Sequence, residues 1–410
     1  MSEFFTVLPP ADAFAKLWAH LPTTPRAETI STTEALGRVT FEAIASPESL
    51  PAFPRSTMDG YAVRATDTFG ASATLPAYLN LIGEVPMGAA PTFELCPTQC
   101  ALVHTGGMIP TGANAVAQIE NTQKVSEQEI EIIKAVGVGE NTVNVGEDVA
   151  QGELVLPTGH ILRAQDLGGL LGLGLTTLNV AARPRVALLA TGDEVVPPDS
   201  HTGPGQIRDI NSYTVSGLIE RAGGLPIRHG IIRDDFDALR EAAQTALAQA
   251  DVLILSAGSS VSVRDMTAEV INGLGQPGTL VHGVAVKPGK PTILAVAQGK
   301  PIFGLPGNPV SAFIIADLFV TPTLYRLQGC ATPPRRPSVS ATLTHNLPSA
   351  PGREDYVPVR LIEKDNALWA EPVFGKSNLI YTLVRADGLL RIPPDANGLS
   401  AGERVEIRLF

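Results

Sequence analysis

The sequence is short of the residues that crosslink a chain, stack against bases or attract nucleic acid. Three cysteines in 410 residues, Cys96 and Cys100 separated by three residues and Cys330 far downstream, give neither an even disulfide framework nor a zinc-ligand spacing. Reduced thiols in the cytoplasm are the expectation. Aromatics are only 5 % and charged residues 17 %, against 39 Gly and 34 Pro, a balance that favours many turns and short elements over long helices. Positive charge is scarce as well. The net charge of -11 opposes the broad basic surface that a phosphate backbone requires, so nucleic acid is not an expected partner and any anionic ligand must be met locally. The opening MSEFFTVLPPADAF lacks a basic stretch followed by an apolar one. No later run is read as approaching the ~20 apolar residues of a membrane span, so a soluble, cytoplasmic protein with no membrane partner is expected. What is present is apolar material: 44 % hydrophobic residues supply ordinary globular cores, and the length implies about two to four domains.

Patterning along the chain changes character several times. Residues 11–19 read as a short amphipathic helix. Residues 31–36 read as a second, with Ser31 and Glu34 spaced for a capping box. Between about residues 51 and 145 the chain becomes short β-like runs punctuated by Gly and Pro, and residues 147–178 return to Gly-rich, helical character. From 183 to 328 strands and helices alternate. The strands there (186–190, 225–232, 252–255, 292–296, 302–305) are apolar without alternation, as in a mostly parallel sheet covered on both faces. Beyond the breaker run Thr332-Pro-Pro-Arg-Arg-Pro337, alternating segments predict a small antiparallel barrel or sandwich.

In an open parallel sheet ligands bind outside the carboxyl ends of the strands, so the residues following each strand are the ones to read. They are Thr191-Gly-Asp-Glu194, Asp234 with Asp235, the loop Ser256-Ala-Gly-Ser-Ser-Val-Ser262 with Asp265 after it, and Gly304-Leu-Pro-Gly-Asn-Pro309. In the last string Asn308 suits a helix N-cap and Pro309 the first helical position, with Pro306 and Gly307 leading in. That end, and the Gly258-Ser259-Ser260 loop with Ser256, are candidate anion cradles. Either alone is ordinary strand-turn-helix chemistry. Lys287-Pro-Gly-Lys290-Pro, lying between them in sequence, shifts the reading towards an oxyanion or phosphate site. The run from Gly283 to Lys290 is not a P-loop, having one residue too many and Pro291 where Ser or Thr would bind magnesium. Carboxylates beside an anion site repel it unless a cation bridges them. Glu194, Asp234, Asp235 and Asp265 therefore suggest Mg²⁺, with helix capping or solvation as the plainer role for Asp235 and Asp265. The seven histidines, His104 included, show no paired-ligand spacing.

Taken in order, Met58-Asp-Gly-Tyr-Ala62, Thr105-Gly106, Gly146-Glu-Asp148, Thr191-Gly-Asp-Glu194, Gly230-Ile-Ile-Arg-Asp-Asp235, Lys287-Pro-Gly-Lys-Pro291 and Gly304-Leu-Pro-Gly-Asn-Pro309 resemble the molybdopterin molybdenumtransferase family, which includes the C-terminal domain of the scaffold protein gephyrin. The resemblance implies an α/β plus β multidomain fold. An elongated N-terminal domain takes residues 1–50 and 146–180, an inserted β-rich domain 51–145, an α/β molybdopterin-binding domain 181–330, and a C-terminal β-barrel 331–410. It implies a homodimer whose cleft joins the α/β domain of one subunit to the β domain of the other. Insertion of molybdate into adenylated molybdopterin, with release of AMP, is the implied activity. By the same resemblance Asp59, Thr105, Glu194, Asp234, Asp265, Lys287 and Lys290 are catalytic, and Pro306, Pro309, Arg353 and Ser377 line the substrate. Glu194 and Asp265 are the expected metal ligands. The chain departs from the family at 256–261, where a Gly-Gly-Val-Ser loop is usual, and at Arg55, where Asn is common. Pterin adenylylation and a non-catalytic scaffold of the same fold are the rival readings.

Overall fold

The computed structural model describes residues 7–22, 24–257 and 261–410. The chain divides into two compact units, one holding residues up to 41, 158–163 and 177–410, the other 42–157 and 164–176.

The larger unit is built on a six-stranded sheet. Arg185–Thr191, Leu225–Ile232, Val252–Ala257 and Lys300–Pro306 pair in parallel, and the edge is completed by Ile293–Ala297 and Pro277–His282 in antiparallel pairing. Both faces are covered, which explains the unbroken apolar runs. Val186 and Leu188 pack into one core, while Ala187 and Leu189 pack into the other. The predicted helices appear at Asn211–Arg221, Phe236–Gln249 and Val261–Gly273. The strand Pro277–His282 was not expected. Its apolar stretch is short and its register slips between Thr279 and Val281, so it carries no periodic signal. The tight link between the last two strands uses Gln298 and Gly299, both at positive φ, the backbone that a two-residue hairpin requires.

The first helix, Pro10–Trp18, starts on proline at its first position, with Asp12 in the first turn and Lys16 in the last, as capping and the helix dipole favour. Ala13 and Leu17, one turn apart, are fully buried, and Phe14 stacks on Phe319 with centroids 4.6 Å apart. The second expected helix is instead a single 3₁₀ turn, Thr32–Glu34. The Ser31 hydroxyl accepts a hydrogen bond from Thr33 N, but no continuing apolar stripe extends the turn.

The helical run that follows the last sheet strand also corrects an expectation. Pro309–Leu327 is a continuous helical run of 19 residues, long and apolar enough by composition to cross a membrane, yet 67 % of the 18-residue apolar window within it is buried inside the protein. It is the core helix of this unit, interrupted by a π-helical turn at Ala316–Val320 that carries the buried Asp317. Beyond it, Ser338–Leu343, Glu354–Lys364, Ala367–Pro372, Gly388–Ile392 and Arg404–Leu409 close into a five-stranded barrel, with Glu354–Lys364 pairing to both of its neighbours.

The smaller unit centres on a second six-stranded sheet. Across it run 115–118, 60–63, 99–103, 77–84, 129–132 and 122–124. Tyr61 and Val63 point into one apolar cluster and Ala62 into another. Gly60 is forced by the close approach of the next strand, since a Cβ there would lie 2.0 Å from the Ala117 carbonyl oxygen.

Candidate active site

Four strand ends stand side by side along the carboxyl edge of the parallel sheet, because the strand order places Leu225–Ile232, Arg185–Thr191, Val252–Ala257 and Lys300–Pro306 in succession. Asn211, which sequence reasoning did not single out, ties two of them together. Its Nδ2 donates to Ser256 Oγ at 3.1 Å and to the Gly307 carbonyl at 2.8 Å.

A cavity of about 550 Å³ opens at the last of these strand ends, lined by Lys287, Lys290, Pro306, Gly307, Asn308, Arg353 and Ser377 among others. The lysine loop is closed tightly. The Lys290 carbonyl accepts hydrogen bonds from Val284 N at 3.0 Å and Thr292 N at 2.9 Å. Gly289, at φ +126°, lies so close to Ile315 that a Cβ would come within 2.5 Å of its side chain. Only glycine fits there. Barrel residues enter because Val286–Lys287 pairs in parallel with Glu354 and Asp355. Asp355, buried at 3 % exposure, takes Arg353 Nε at 2.8 Å and Lys287 Nζ at 3.4 Å. This carboxylate was also missed. Its partner Lys287 lies 68 positions upstream, and no motif marks the pairing. Lys290 is exposed and has no carboxylate partner among the described residues.

The helix end is less open than its sequence suggests. Asn308 makes no side-chain cap, and its Nδ2 donates instead to Ser377 Oγ at 3.0 Å. Val310 N is already taken by the Ser377 carbonyl at 3.0 Å, and Pro309 has no N–H to give. The three cationic side chains, more than helix amides, therefore set the electrostatics of this cavity.

Acids gather at the neighbouring strand ends. Asp234 N donates to Asp193 Oδ1 at 3.3 Å. Burial, then the charges of Asp193 and Glu194, hold the Asp234 carboxyl above its ordinary value, and its Oδ1 is buried without a hydrogen-bond partner. Gly192, at φ +141°, leaves room for the Glu194 carboxylate to fold back over it, for a Cβ there would sit 2.8 Å from Glu194 Oε2. Asp235 is a helix cap, accepting from Ala238 N at 2.8 Å. Asp265 is exposed on the helix Val261–Gly273, and no described contact joins it to Glu194. Among the described residues no three His, Cys, Asp or Glu side chains gather in metal-holding geometry. Gly258, Ser259 and Ser260 lie outside the described residues.

In the smaller unit Asp59 and Thr105 meet, as antiparallel pairing of Gly60 with Val103 dictates. Asp59 Oδ1 accepts from Thr105 N at 2.8 Å and from Thr105 Oγ1 at 3.3 Å. His104 bridges to Glu84 at 2.9 Å and stands 3.8 Å from Asp59.

Fold and site together define a multidomain protein with a cavity lined by cationic side chains from its α/β part and its barrel. Residues 8–174 match the MoeA N-terminal region (domain I and II), residues 187–326 a domain described as "Probable molybdopterin binding domain", and residues 340–410 the MoeA C-terminal region (domain IV). The molybdopterin molybdenumtransferase 2 of Mycobacterium tuberculosis is 33 % identical over 92 % of this chain and 94 % of that one. The molybdopterin molybdenumtransferase of Bacillus subtilis is 30 % identical over 98 % and 94 %. The crystal structure of a molybdopterin biosynthesis MoeA protein from Pyrococcus horikosii superposes with a TM-score of 0.85 at 37 % identity, covering 98 % of this chain and 99 % of the other. The chain belongs to the MoeA, or molybdopterin molybdenumtransferase, family.

Proposed function

We propose that this protein inserts molybdate into adenylated molybdopterin and releases AMP, as a molybdopterin molybdenumtransferase of molybdenum cofactor biosynthesis. The observation that carries this reading is the cavity bordered by Lys287, Lys290 and Arg353, in a chain whose full-length relatives bear that name.

The chemical problem is electrostatic. Two dianions ~6 Å apart at an effective dielectric of ~20 repel by roughly 11 kcal/mol, enough to prevent encounter without compensation. Lys290 offers a charge that no described carboxylate shares, while Lys287 and Arg353 are aimed by Asp355. These groups hold molybdate beside the dithiolate, so that both sulfurs ligate the metal, one molybdate oxygen leaves as water with the two thiol protons, and water takes the place of AMP on the pterin phosphate.

Magnesium is the second part of the proposal, and the acids present fit it. Asp234 carries a buried, unpartnered oxygen beside Glu194 and Asp193. Mg²⁺ is commonly held by one or two carboxylates with substrate phosphates and water completing the shell, so a set smaller than three ligands suits it. Glu194 and Asp234 are the residues best placed to hold it, and Asp265 remains the candidate from sequence. When bound, the ion would polarise the phosphoanhydride. A homodimer and a cytoplasmic location complete the reading. The first rests on the family resemblance, the second on three unpaired cysteines, and sedimentation of the purified protein tests the dimer.

The deciding experiment incubates the protein with adenylated molybdopterin and titrates molybdate or tungstate while following AMP. Saturable, oxyanion-dependent AMP release is expected. Consumption of ATP with non-adenylated pterin, and no oxyanion-dependent AMP, would assign adenylylation instead. Neither activity would leave a scaffold.

A further inference from the structure

A second cavity, of about 700 Å³, lies between the core helix, the linker after residue 332 and the barrel, and shares no lining residue with the lysine cavity. Its centre is Asp317, whose side chain is wholly buried within the π-helical turn. That single carboxylate faces three guanidiniums: Arg408 at 2.6 Å, Arg221 at 3.6 Å, and Arg336, which contacts both oxygens. Arg336 and Arg408 are themselves only 22 % and 31 % exposed.

Charge does not balance around this space. Arg391 is neutralised by Glu354, through contacts of 2.7 and 2.8 Å. Arg404, at the wall, reaches only Ser340 Oγ at 3.2 Å, and Arg335 has no partner among the described residues. Glu406 is the remaining acid of the wall. Five guanidiniums (Arg335, Arg336, Arg391, Arg404 and Arg408) and two carboxylates (Asp317 and Glu406) line the cavity, while Arg221 and Glu354 pair with lining residues from outside it, which leaves a surplus of three positive charges in a chain of net charge -11. Pinning the barrel to the helix through Asp317 would need one arginine. The partly desolvated Arg336 and Arg408 thus share one counter-charge, a costly arrangement that an anion would relieve, and the exposed Arg335 and Arg404 line the same space. Burial depresses the basicity of Arg408, an effect that Asp317 opposes and that the charges of Arg336 and Arg221 reinforce. Planar guanidiniums suit phosphate oxygens, which they engage in bidentate fashion, and the volume lies within the range of small-molecule sites.

We propose that this cavity binds a small polyanion of the diphosphate class, held by Arg335, Arg404 and the free edges of Arg336 and Arg408. The proposal stands apart from the transfer reaction, since it uses none of the residues assigned there. The probe is inorganic pyrophosphate, titrated calorimetrically at low ionic strength into full-length protein carrying Lys290→Ala, which weakens competing binding in the first cavity. One site per chain is expected. Adding Arg335→Gln and Arg404→Gln together should weaken it at least about tenfold while the melting temperature stays within about 2 °C, because neither residue holds a carboxylate. Each single substitution should cost at least about threefold, and these carry the test if the pair fails to fold. Unchanged affinity in the arginine variants, or absence of any pyrophosphate binding in the Lys290→Ala background, overturns the assignment.

Discussion

Lys290→Ala is the sharpest test of the lysine cavity, because it removes charge while leaving the loop in place. The loop is held by the Lys290 carbonyl and by the fit of Gly289 against Ile315, neither of which needs the side chain. An ammonium in contact with a dianion at ~4 Å contributes about 2 kcal/mol at the dielectric of water and about 8 kcal/mol at an effective value of 20. Lys290 is exposed, which places the loss in the lower part of that range, about 2–4 kcal/mol, or roughly 30- to 1000-fold in kcat/KM. Oxyanion-dependent AMP release measures it. Urea unfolding followed by the fluorescence of Trp18 and Trp369 should show stability within about 0.5 kcal/mol of the parent. Lys287→Ala is the internal contrast. It takes one partner from the buried Asp355 and should lose activity together with about 1–2 kcal/mol of stability, discounted because Lys287 is itself half exposed. A Lys290→Ala enzyme within threefold of the parent would refute the electrostatic account, and so would a loss accompanied by unfolding.

Three further outcomes are expected. Asp317→Asn should destabilise the larger unit by about 2–4 kcal/mol in urea, since it strips the counter-charge from three guanidiniums that are a quarter to a half exposed; a change under about 0.5 kcal/mol would show those arginines to be independently solvated. Asp234→Asn should abolish stimulation by Mg²⁺ without lowering stability. The raised carboxyl means the folded protein holds its proton more tightly than the unfolded chain, so the parent loses stability as pH climbs from the ordinary carboxylate range through the raised value, and the amide variant should lack that slope. Gly289→Ala combines a strained backbone with a clash against Ile315 and should cost about 2–5 kcal/mol, with AMP release falling in step. Retention of the parent urea midpoint would mean that the loop can refold around a methyl group.

Much of the α/β sheet was legible because its strands are buried on both faces, and such strands print as unbroken apolar runs between turn residues. The edge strand Leu225–Ile232 is not buried in this way, yet it has the bounds the sequence predicts. The barrel was legible for the complementary reason, alternation. Pro277–His282 escaped because a six-residue strand with a bulge satisfies neither pattern. The apolar length of Pro309–Leu327 was underestimated because Asp317, two threonines and Pro322 break its run in the sequence, whereas helical geometry carries the burial past them. At the site, the residues following each strand were readable from the rule that ligands gather at strand ends. Asp355 and Asn211 were not. Their importance comes from partners 68 and 45 or more positions away, Lys287 for the first and Ser256 with Gly307 for the second, and pairing at that range is a property of topology.

The short parallel pairing of Val286–Lys287 with Glu354–Asp355 also limits how this chain can be dissected. An α/β segment expressed without the barrel would present a bare strand edge and a lysine stripped of its buried acid, so its failure to turn over would say nothing about which residues do chemistry. Any exchange of barrels between relatives has to carry the lysine loop along with it.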